Sequence, residues 1–173
     1  LEGLRIDGLE QLPEALLQLK GLKLFCSLGG KLSDISLLAQ IPALEVVDLS
    51  WNRITDLRPL SGLPLRELYL EGNPIVDYSP IKELYPNLQG KNFDYIEFQQ
   101  PDNPGLIIRF PDPIMEMKVR QALDIPQGDI TAGDAARVSI LMLANEWEPE
   151  IPAEMQITDL TGIEHFINLQ ELN

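Results

Sequence analysis

Two consecutive stretches of the chain carry apolar residues in the same places. They read "ALEVVDLSWNRITDLRPLSGLP" (43–64) and "LRELYLEGNPIVDYSPIKELYPNL" (65–88). Aligning Asn52 with Asn73 matches eight further positions at one constant offset. A degenerate third copy precedes them, with Gly30 at the asparagine position and Ser27 at an apolar position. A short fixed period of this kind indicates stacked structural repeats.

The pattern LxxLxLxxN within each copy predicts a short strand that ends in a turn. Side chains alternate between the two faces of a strand, so the leucines point into a coil and the residues between them point outward. A second apolar set, with near-helical spacing, closes the coil; in one copy it is Ile54, Leu57, Leu60 and Leu63. One coil cannot bury its own leucines, so coils must stack. At the turn, the asparagine amide is expected to bond backbone groups of adjacent coils that would otherwise have no partner.

The stretches "LEVVDLSWNRITDLRPLSGL" and "ITDLTGIEHFINLQEL" (157–172) resemble leucine-rich repeats of the short bacterial type found in internalin-like proteins. The resemblance covers most of the chain. It implies an α/β leucine-rich repeat solenoid with parallel strands on the concave face and short helical or 3-10 segments on the convex face. It also implies a small helical cap. The motif is specific for this fold but not for a function.

Residues 107–143 interrupt the repeats and are predicted to form that cap. Asp112 followed by Pro113 is a typical helix start. Met115, Val119, Ala122 and Leu123 then fall on one helical face. Thr131 and Asp134 approximate a capping box that opens a second short helix. The segment resembles the helical N-terminal cap that precedes internalin-like arrays.

The predicted domain order is therefore unusual, because the cap follows an array. Residues 1–98 are assigned to repeats and an array terminator, and residues 99–106 to a polar linker. Residues 107–143 form the cap and a first strand. Residues 144–173 hold an insertion loop (144–156) and a further repeat. We expect the coil of that repeat to be completed by residues 1–20 of the same chain or of a neighbouring chain.

Across this join, Leu169, Leu172 and Leu1 complete the LxxLxL pattern, and Leu4 falls at the asparagine position. Three arrangements are consistent with the join. The chain is a circular permutant, a slice of a longer tandem array, or a molecule that associates with its copies by domain swapping or head-to-tail stacking.

Charge and composition limit the partners. The net charge of −14 argues against nucleic acid, because an acidic surface cannot replace the counterions of phosphates. It suits a partner with a basic surface, although it also serves solubility. The sequence holds no apolar run of about 18 residues, so membrane insertion is not expected. The single cysteine, Cys26, cannot form an internal disulfide and leaves the compartment open. The family resemblance favours a secreted or cell-surface bacterial location.

No catalytic, cofactor or metal site is predicted. The segment "GGKLS" (29–33) lacks the Ser/Thr and the glycine spacing of a phosphate-binding loop. His165 is the only histidine, so no cluster of histidine and cysteine ligands exists. Nothing in the sequence near Cys26 indicates an activated thiol. We therefore expect the protein not to be an enzyme.

The outward strand residues form the predicted binding surface. Trp51 and Tyr69 are one repeat apart and are expected to be near neighbours, and aromatic residues and arginine are enriched at binding hot spots. The candidate protein-binding residues are Glu45, Asp48, Trp51, Arg66, Glu67, Tyr69 and Glu71. The predicted function is a non-enzymatic protein–protein interaction module that binds a partner on the concave face. The alternative is a structural or spacer domain of a larger bacterial protein, with no partner of its own.

Overall fold

A computed structural model describes residues 1–143 and 156–173 of the chain. These residues form two compact units, Leu1–Phe98 and Gln99–Asn173. The predicted insertion loop, apart from Gln156, lies outside the described residues.

The first unit contains a five-stranded parallel sheet whose strands follow one another in chain order. The strands are β1 (Gly3–Arg5), β2 (Leu24–Cys26), β3 (Val46–Asp48), β4 (Glu67–Tyr69) and β5 (Gly90–Lys91). The register places Phe25, Val47 and Leu68 side by side, and all three are fully buried. The repeat alignment, including its degenerate copy, is therefore confirmed.

Short 3-10 segments return the chain from each strand to the next. They are Glu14–Gln18, Ser36–Gln40, Arg58–Leu60, Ser79–Ile81 and Tyr85–Asn87. An aspartate precedes three of them, and its carboxylate accepts a hydrogen bond from the backbone N–H two residues on. Asp34 accepts from Ser36 at 2.8 Å, Asp56 from Arg58 at 2.9 Å, and Asp77 from Ser79 at 2.8 Å. These bonds fix the turn that opens each segment.

The core of this unit lies between the strands and the 3-10 segments. In the coil that contains Asn52, the strand contributes Leu44, Val47 and Leu49, and the return contributes Ile54, Leu57 and Leu60. All six are fully buried. Burial of each such side chain contributes about 1.5–3 kcal/mol relative to exposure. Parallel strands on one side and 3-10 segments on the other, around stacked leucines, make this unit an α/β leucine-rich repeat solenoid.

The two asparagines of the pattern bond adjacent coils, as predicted. The Asn52 amide nitrogen donates to the carbonyl oxygens of Ser27 at 2.7 Å and Leu49 at 2.9 Å, and its oxygen accepts from the N–H of Leu32 at 3.2 Å. Asn73 repeats the arrangement one coil later, with bonds to the carbonyls of Leu49 and Leu70 and to the N–H of Ile54. Each asparagine thus bonds its own coil and the preceding one.

Four aromatic rings gather at the last coil of the first unit. Tyr78 and Phe93 stack with centroids 5.6 Å apart, and Tyr85 and Tyr95 lie 5.5 Å from each other. The amino group of Lys91 lies 4.9 Å from the centroid of the Tyr85 ring. The core is mainly aliphatic, but aromatic rings cover its end.

The register of β1 corrects the alignment drawn across the chain ends. Leu4 pairs with Phe25 in the sheet, so it occupies a central strand position and not the asparagine position. Leu1, Leu4 and Ile6 therefore supply a strand motif of their own, and Leu9 falls at the asparagine position. The wider idea, that residues 1–20 complete the coil of the repeat at residues 157–173, stays a prediction.

In its described part, residues 99–143 and 156–173, the second unit holds two helices and two small sheets. Strands β6 (Ile107–Ile108) and β7 (Ile130–Thr131) pair antiparallel, and β8 (Ile140–Leu141) and β9 (Glu171–Leu172) pair parallel. Helix α1 spans Pro113–Leu123, helix α2 spans Ala132–Ala135, and a 3-10 segment spans Ile163–His165. The whole segment predicted as a linker, residues 99–106, belongs to this unit, in which Gln99 exchanges two hydrogen bonds with Asn168.

Both predicted helix starts are confirmed. Asp112 caps α1 by accepting from the N–H groups of Ile114 and Met115. Thr131 and Asp134 form the complete capping box of α2. Met115 and Val119 are fully buried on the inner face of α1, whereas Ala122, assigned to the same face, is exposed.

Asp112 also joins the cap helix to the repeat that follows it. Its second carboxylate oxygen accepts from the backbone N–H of Thr158 at 2.7 Å, from the Thr158 hydroxyl at 3.0 Å and from the N–H of Asp159 at 3.3 Å. These bonds, with the Thr158 N–H contributing most, hold the pKa of Asp112 far below its ordinary value. One carboxylate therefore fixes two segments that are distant in the sequence.

We expect Asn73→Ala to destabilise the first unit by about 2–3 kcal/mol, because it leaves a buried N–H and a buried carbonyl without partners. The free energy of unfolding is measured by urea denaturation, and amide exchange at Ile54 reports the local opening. Asn87→Ala, which removes an exposed asparagine, is the control and should change stability by less than about 0.5 kcal/mol. Equal effects of the two substitutions would contradict the structural role of the Asn73 amide.

The two buried serines of the first unit should respond in opposite ways. The Ser27 hydroxyl is fully buried without a hydrogen-bond partner, so Ser27→Ala should leave stability unchanged or raise it by up to about 1 kcal/mol. The Ser50 hydroxyl donates to Asp48 at 2.7 Å, so Ser50→Ala should lower stability by about 1 kcal/mol. Urea denaturation of both variants checks this, and a large loss in Ser27→Ala would contradict it.

Acid should weaken the second unit through Asp112. The folded state lowers the pKa of this carboxyl, so its contribution to stability is present above the unfolded value of about 3.9 and is lost as the pH falls toward the folded value. Asp112→Asn should melt at a lower temperature at pH 7 and show a flatter loss of stability below about pH 5 than the native chain. Melting curves by circular dichroism between pH 7 and pH 2 test this. Asp102→Asn, an exposed carboxylate of the same unit, should leave the pH profile unchanged.

Candidate functional site

The candidate site lies on the outward side of the first unit's sheet, here called the strand face. Two rows of side chains cross it, one on each side of the buried central row. The first row contains Leu24, Val46 and Glu67, and the second contains Arg5, Cys26, Asp48 and Tyr69. The sheet brings these residues into register because parallel strands of the same length are stacked at one repeat per strand.

Four of the seven predicted site residues lie in or beside β4. Glu67 and Tyr69 are half-buried members of the strand, and Arg66 and Glu71 are exposed on either side of it. Glu45 immediately precedes β3, Asp48 is its last residue, and Trp51 lies in the turn that follows. The structure therefore places all seven on two neighbouring coils.

The cations at the start of the strands are already paired with carboxylates. The Arg66 guanidinium lies 2.7 Å from the Glu45 carboxylate, and the Lys23 amino group lies 3.3 Å from that of Glu2. At the other end of β1, Arg5 binds Asp7 at 2.9 Å. Glu45 and Arg66 are thus partners of each other before any ligand arrives.

Three carboxylates of the strand face differ, because uncharged groups donate to them. Asp48 accepts from the N–H and the hydroxyl of Ser50, and Glu67 accepts from the Tyr69 hydroxyl at 2.9 Å. Glu71 accepts from the amide nitrogen of Asn92 at 3.3 Å. Within residues 1–143 and 156–173, none of these three carboxylates has a cationic group within 4.0 Å. Their negative charges remain available to a ligand.

Asn92 organises this cluster, and sequence reasoning missed it. Its amide oxygen accepts from the N–H groups of Leu70 at 2.8 Å and Glu71 at 3.1 Å, while its nitrogen donates to the Ser50 hydroxyl at 3.1 Å and to Glu71. Asn92 follows Asn73 at a shorter interval than Asn73 follows Asn52, so the repeat alignment did not reveal it. It bonds the end of β4 where the sheet stops, and it holds Ser50 and Glu71 together.

Trp51 lies in the turn after β3 with its side chain 58% exposed. Its backbone has a φ of 61°, in the left-handed region that most residues avoid. Its indole ring covers Gly72 of the next coil, where a Cβ atom would lie 2.4 Å from the ring. The absence of a side chain at Gly72 therefore makes room for the ring on the strand face.

Tyr69 leans in the same direction, over Gly90 of β5, where an added Cβ would lie 2.5 Å from the Tyr69 hydroxyl. The hydrogen bond to Glu67 raises the pKa of the Tyr69 hydroxyl above its ordinary value. Each aromatic ring thus packs over a glycine of the following coil. The ring contacts among the described residues do not pair Trp51 with Tyr69, although we expected the two to be near neighbours.

The other residues considered for chemistry are accounted for by the fold. Burial raises the pKa of the Cys26 thiol, which lies beside Asp48 in the sheet, so the reactive thiolate is disfavoured. Gly29 and Gly30 form the turn after β2, and Gly30 lies against the carbonyl of Leu9. His165 is half-buried, 3.6 Å from Glu164. Across the two described ranges, no group of three or more histidine, cysteine or acidic side chains is arranged to hold a metal ion.

No helix in the described part of the chain is long and apolar enough to cross a membrane. The strand face offers aromatic surface, available carboxylates and paired charges at its margin. Groups of these kinds recognise another molecule by contact.

The chain was compared with known proteins. No protein-family model matches it. A stretch of 48 residues, 27% of this chain, is 48% identical to 19% of the human cilia- and flagella-associated protein 410.

Two crystal structures of Listeria monocytogenes proteins were also found. Internalin C2 matches 49% of this chain with 37% of its own, at 28% identity and a TM-score of 0.45. Internalin F matches 99% of this chain with 46% of its own, at 23% identity and a TM-score of 0.49. This chain spans less than half the length of each of the three proteins. Its assignment as a leucine-rich repeat solenoid comes from its own strand register and buried leucines.

Proposed function

We propose that the protein is a non-enzymatic protein-recognition module that binds its partner on the strand face of the first unit. The observation that carries the proposal is Trp51, a large aromatic side chain exposed beside carboxylates that have no cationic partner. Exposed tryptophan and tyrosine are residue types that dominate binding energy at protein interfaces. The rings of Trp51 and Tyr69 are supported from below by glycines of the next coil, so they lose little freedom on binding.

The charges of the strand face favour a partner with a basic surface. Asp48, Glu67 and Glu71 are available to cations, whereas Arg66 and Lys23 are occupied by their own carboxylates. The net charge of −14 adds a long-range attraction toward such a partner. Electrostatic complementarity of this kind mainly raises the association rate and selects the partner.

The competing function is that of a spacer domain, in which the solenoid only separates neighbouring parts of a larger protein. The internal ion pairs Arg66–Glu45, Lys23–Glu2 and Lys31–Glu10 favour it, because they occur along the same sheet and need no ligand. A spacer gives no reason for the exposed aromatic rings to remain. The two functions therefore predict different results when the rings are removed: a recognition module loses affinity for its partner, and a spacer domain does not.

We expect the Trp51→Ala, Tyr69→Ala double variant to remain folded and to lose at least about 30-fold in affinity for the partner, the effect of losing one hot spot. Partners are captured on the immobilised native chain, and each purified candidate is then titrated calorimetrically against native and variant chains. The control is the Gln18→Ala, Gln40→Ala double variant, which changes exposed residues on the 3-10 segments and should bind like the native chain. If every captured protein binds all three chains equally, the strand face is not the binding site and the spacer function is preferred.

A further inference from the structure

The turns of the first unit use one backbone position in a repeated way. Gly8, Gly29, Trp51 and Gly72 have φ values of 74°, 63°, 61° and 71°. They recur once per repeat, so they are the same position in successive coils. This left-handed conformation is freely accessible to glycine, while a side chain at Cβ meets the backbone and costs free energy. Trp51 is therefore the one of these four residues whose side chain makes the left-handed backbone conformation of the turn unfavourable.

The Trp51 side chain lies outside the buried core of the first unit. The Trp51 side chain is 58% exposed, and what it covers is the bare backbone of Gly72. The other non-glycine residue with a positive φ in the described ranges is Asp124, at the end of α1, and aspartate tolerates this conformation better than tryptophan does. A glycine at position 51 would give the fold the same turn with less strain.

Residues beside the turn that carries the Trp51 ring bear carboxylates. The N–H of Trp51 donates to the carbonyl of Glu71 at 2.7 Å, so Glu71 lies directly beside the turn that carries the ring. The Glu71 carboxylate accepts from the uncharged amide of Asn92, and Asn92 also donates to Ser50, which donates to Asp48. The turn that carries the ring thus lies beside carboxylates that are oriented by hydrogen bonds and that have no cationic partner among the described residues.

We propose that Trp51 is the anchor of the strand face and that it receives an arginine side chain of the partner, stacked on the indole ring and paired with the carboxylate of Glu71. This inference rests on the proposed recognition function and adds the chemistry of the contact. Arginine fits better than lysine, because its planar guanidinium stacks on an aromatic face and binds a carboxylate through two parallel hydrogen bonds. The strained backbone at position 51 then lowers the stability of the free protein, and it is kept because the Trp51 side chain serves binding.

The first test needs no partner. Trp51→Gly removes the strained side chain, so it should raise the melting temperature above that of the native chain. Trp51→Ala keeps a Cβ in the left-handed turn and is the matched control, with a smaller rise or none. A melting temperature of Trp51→Gly below the native value would show that the tryptophan serves folding, and it would overturn the inference.

The second test measures the arginine contact directly. A Trp147→Phe background leaves Trp51 as the single tryptophan, whose emission is titrated with a synthetic peptide that alternates arginine and serine. Replacing arginine by citrulline in the peptide keeps the shape and removes the charge. We expect saturable quenching by the arginine peptide, and affinity at least about 10-fold weaker with citrulline or in the Glu71→Gln variant, the loss of one favourable charged contact. Equal binding of the two peptides would overturn the proposal.

The outcomes separate this inference from the proposed function. Anisotropy of a labelled arginine peptide should show no binding to Trp51→Gly, and retained binding would overturn the role of Trp51 as anchor. If a captured partner needs Trp51 while the arginine peptide fails to bind the native chain, the recognition function stands and the arginine contact is wrong. If Trp51→Gly also leaves the binding of every captured partner unchanged, the anchor and the strand-face site fail together.

Discussion

The turns of the first unit depend on hydrogen bonds that only a neighbouring coil can complete. A tight turn leaves backbone groups pointing inward, where water does not reach them, and a buried group without a partner costs more free energy than an ordinary bond contributes. Asn52 and Asn73 meet this need by bonding two coils at once. The leucines impose the same dependence through their burial, so neither the core nor the turns of one repeat are complete without the next.

This dependence explains two departures from the repeat pattern. Gly30 holds the asparagine position of an early coil, where a Cβ atom would collide with the carbonyl of Leu9 at 2.2 Å and with the Asn52 amide at 2.8 Å. At the other end, Asn92 bonds the N–H groups of Leu70 and Glu71, which lie beyond the last pairing of β4 with β5. Aromatic rings around Tyr78 then cover the last leucines. The sheet is therefore closed at this end by side chains that do not follow the repeat.

The parts of the fold that follow a local rule could be predicted from the sequence. The strand register follows from the constant offset that aligns Asn52 with Asn73, and the start of α1 follows from Asp112 and Pro113. Features that depend on contacts distant in sequence could not be predicted. The bond between Asp112 and Thr158 joins two segments that are distant in the sequence. Asn92 does not follow the repeat spacing, because the regular repeats end before it. Leu4 was misplaced because a single strand motif at a chain end offers no second copy to fix its register.

The sequence was sufficient to predict which residues lie on the outward side of the strands. It was not sufficient to predict which of them pair with each other or where their rings lie. Alternation along the strands was sufficient to name Glu45, Arg66 and Tyr69 as outward residues. It could not show that Glu45 and Arg66 neutralise each other, since ion pairs depend on side-chain conformations that a pattern does not contain. The same limit applies to Trp51, whose ring lies over Gly72 of the next coil.

A repeat protein can vary its outward side chains with little effect on its core, because the buried and outward positions alternate. Most of the strand face follows this division, and the ion pairs at its margin form without help from a ligand. Position 51 breaks it, because there the outward side chain acts on the backbone of its own turn. Strain at one position is tolerated when the surrounding structure determines the conformation, and here the bonds of Asn52 and the N–H of Trp51 itself hold the turn on both sides. The stacking of coils that makes the solenoid stable thus also holds Trp51 in a left-handed backbone conformation that an isolated turn would not favour for tryptophan.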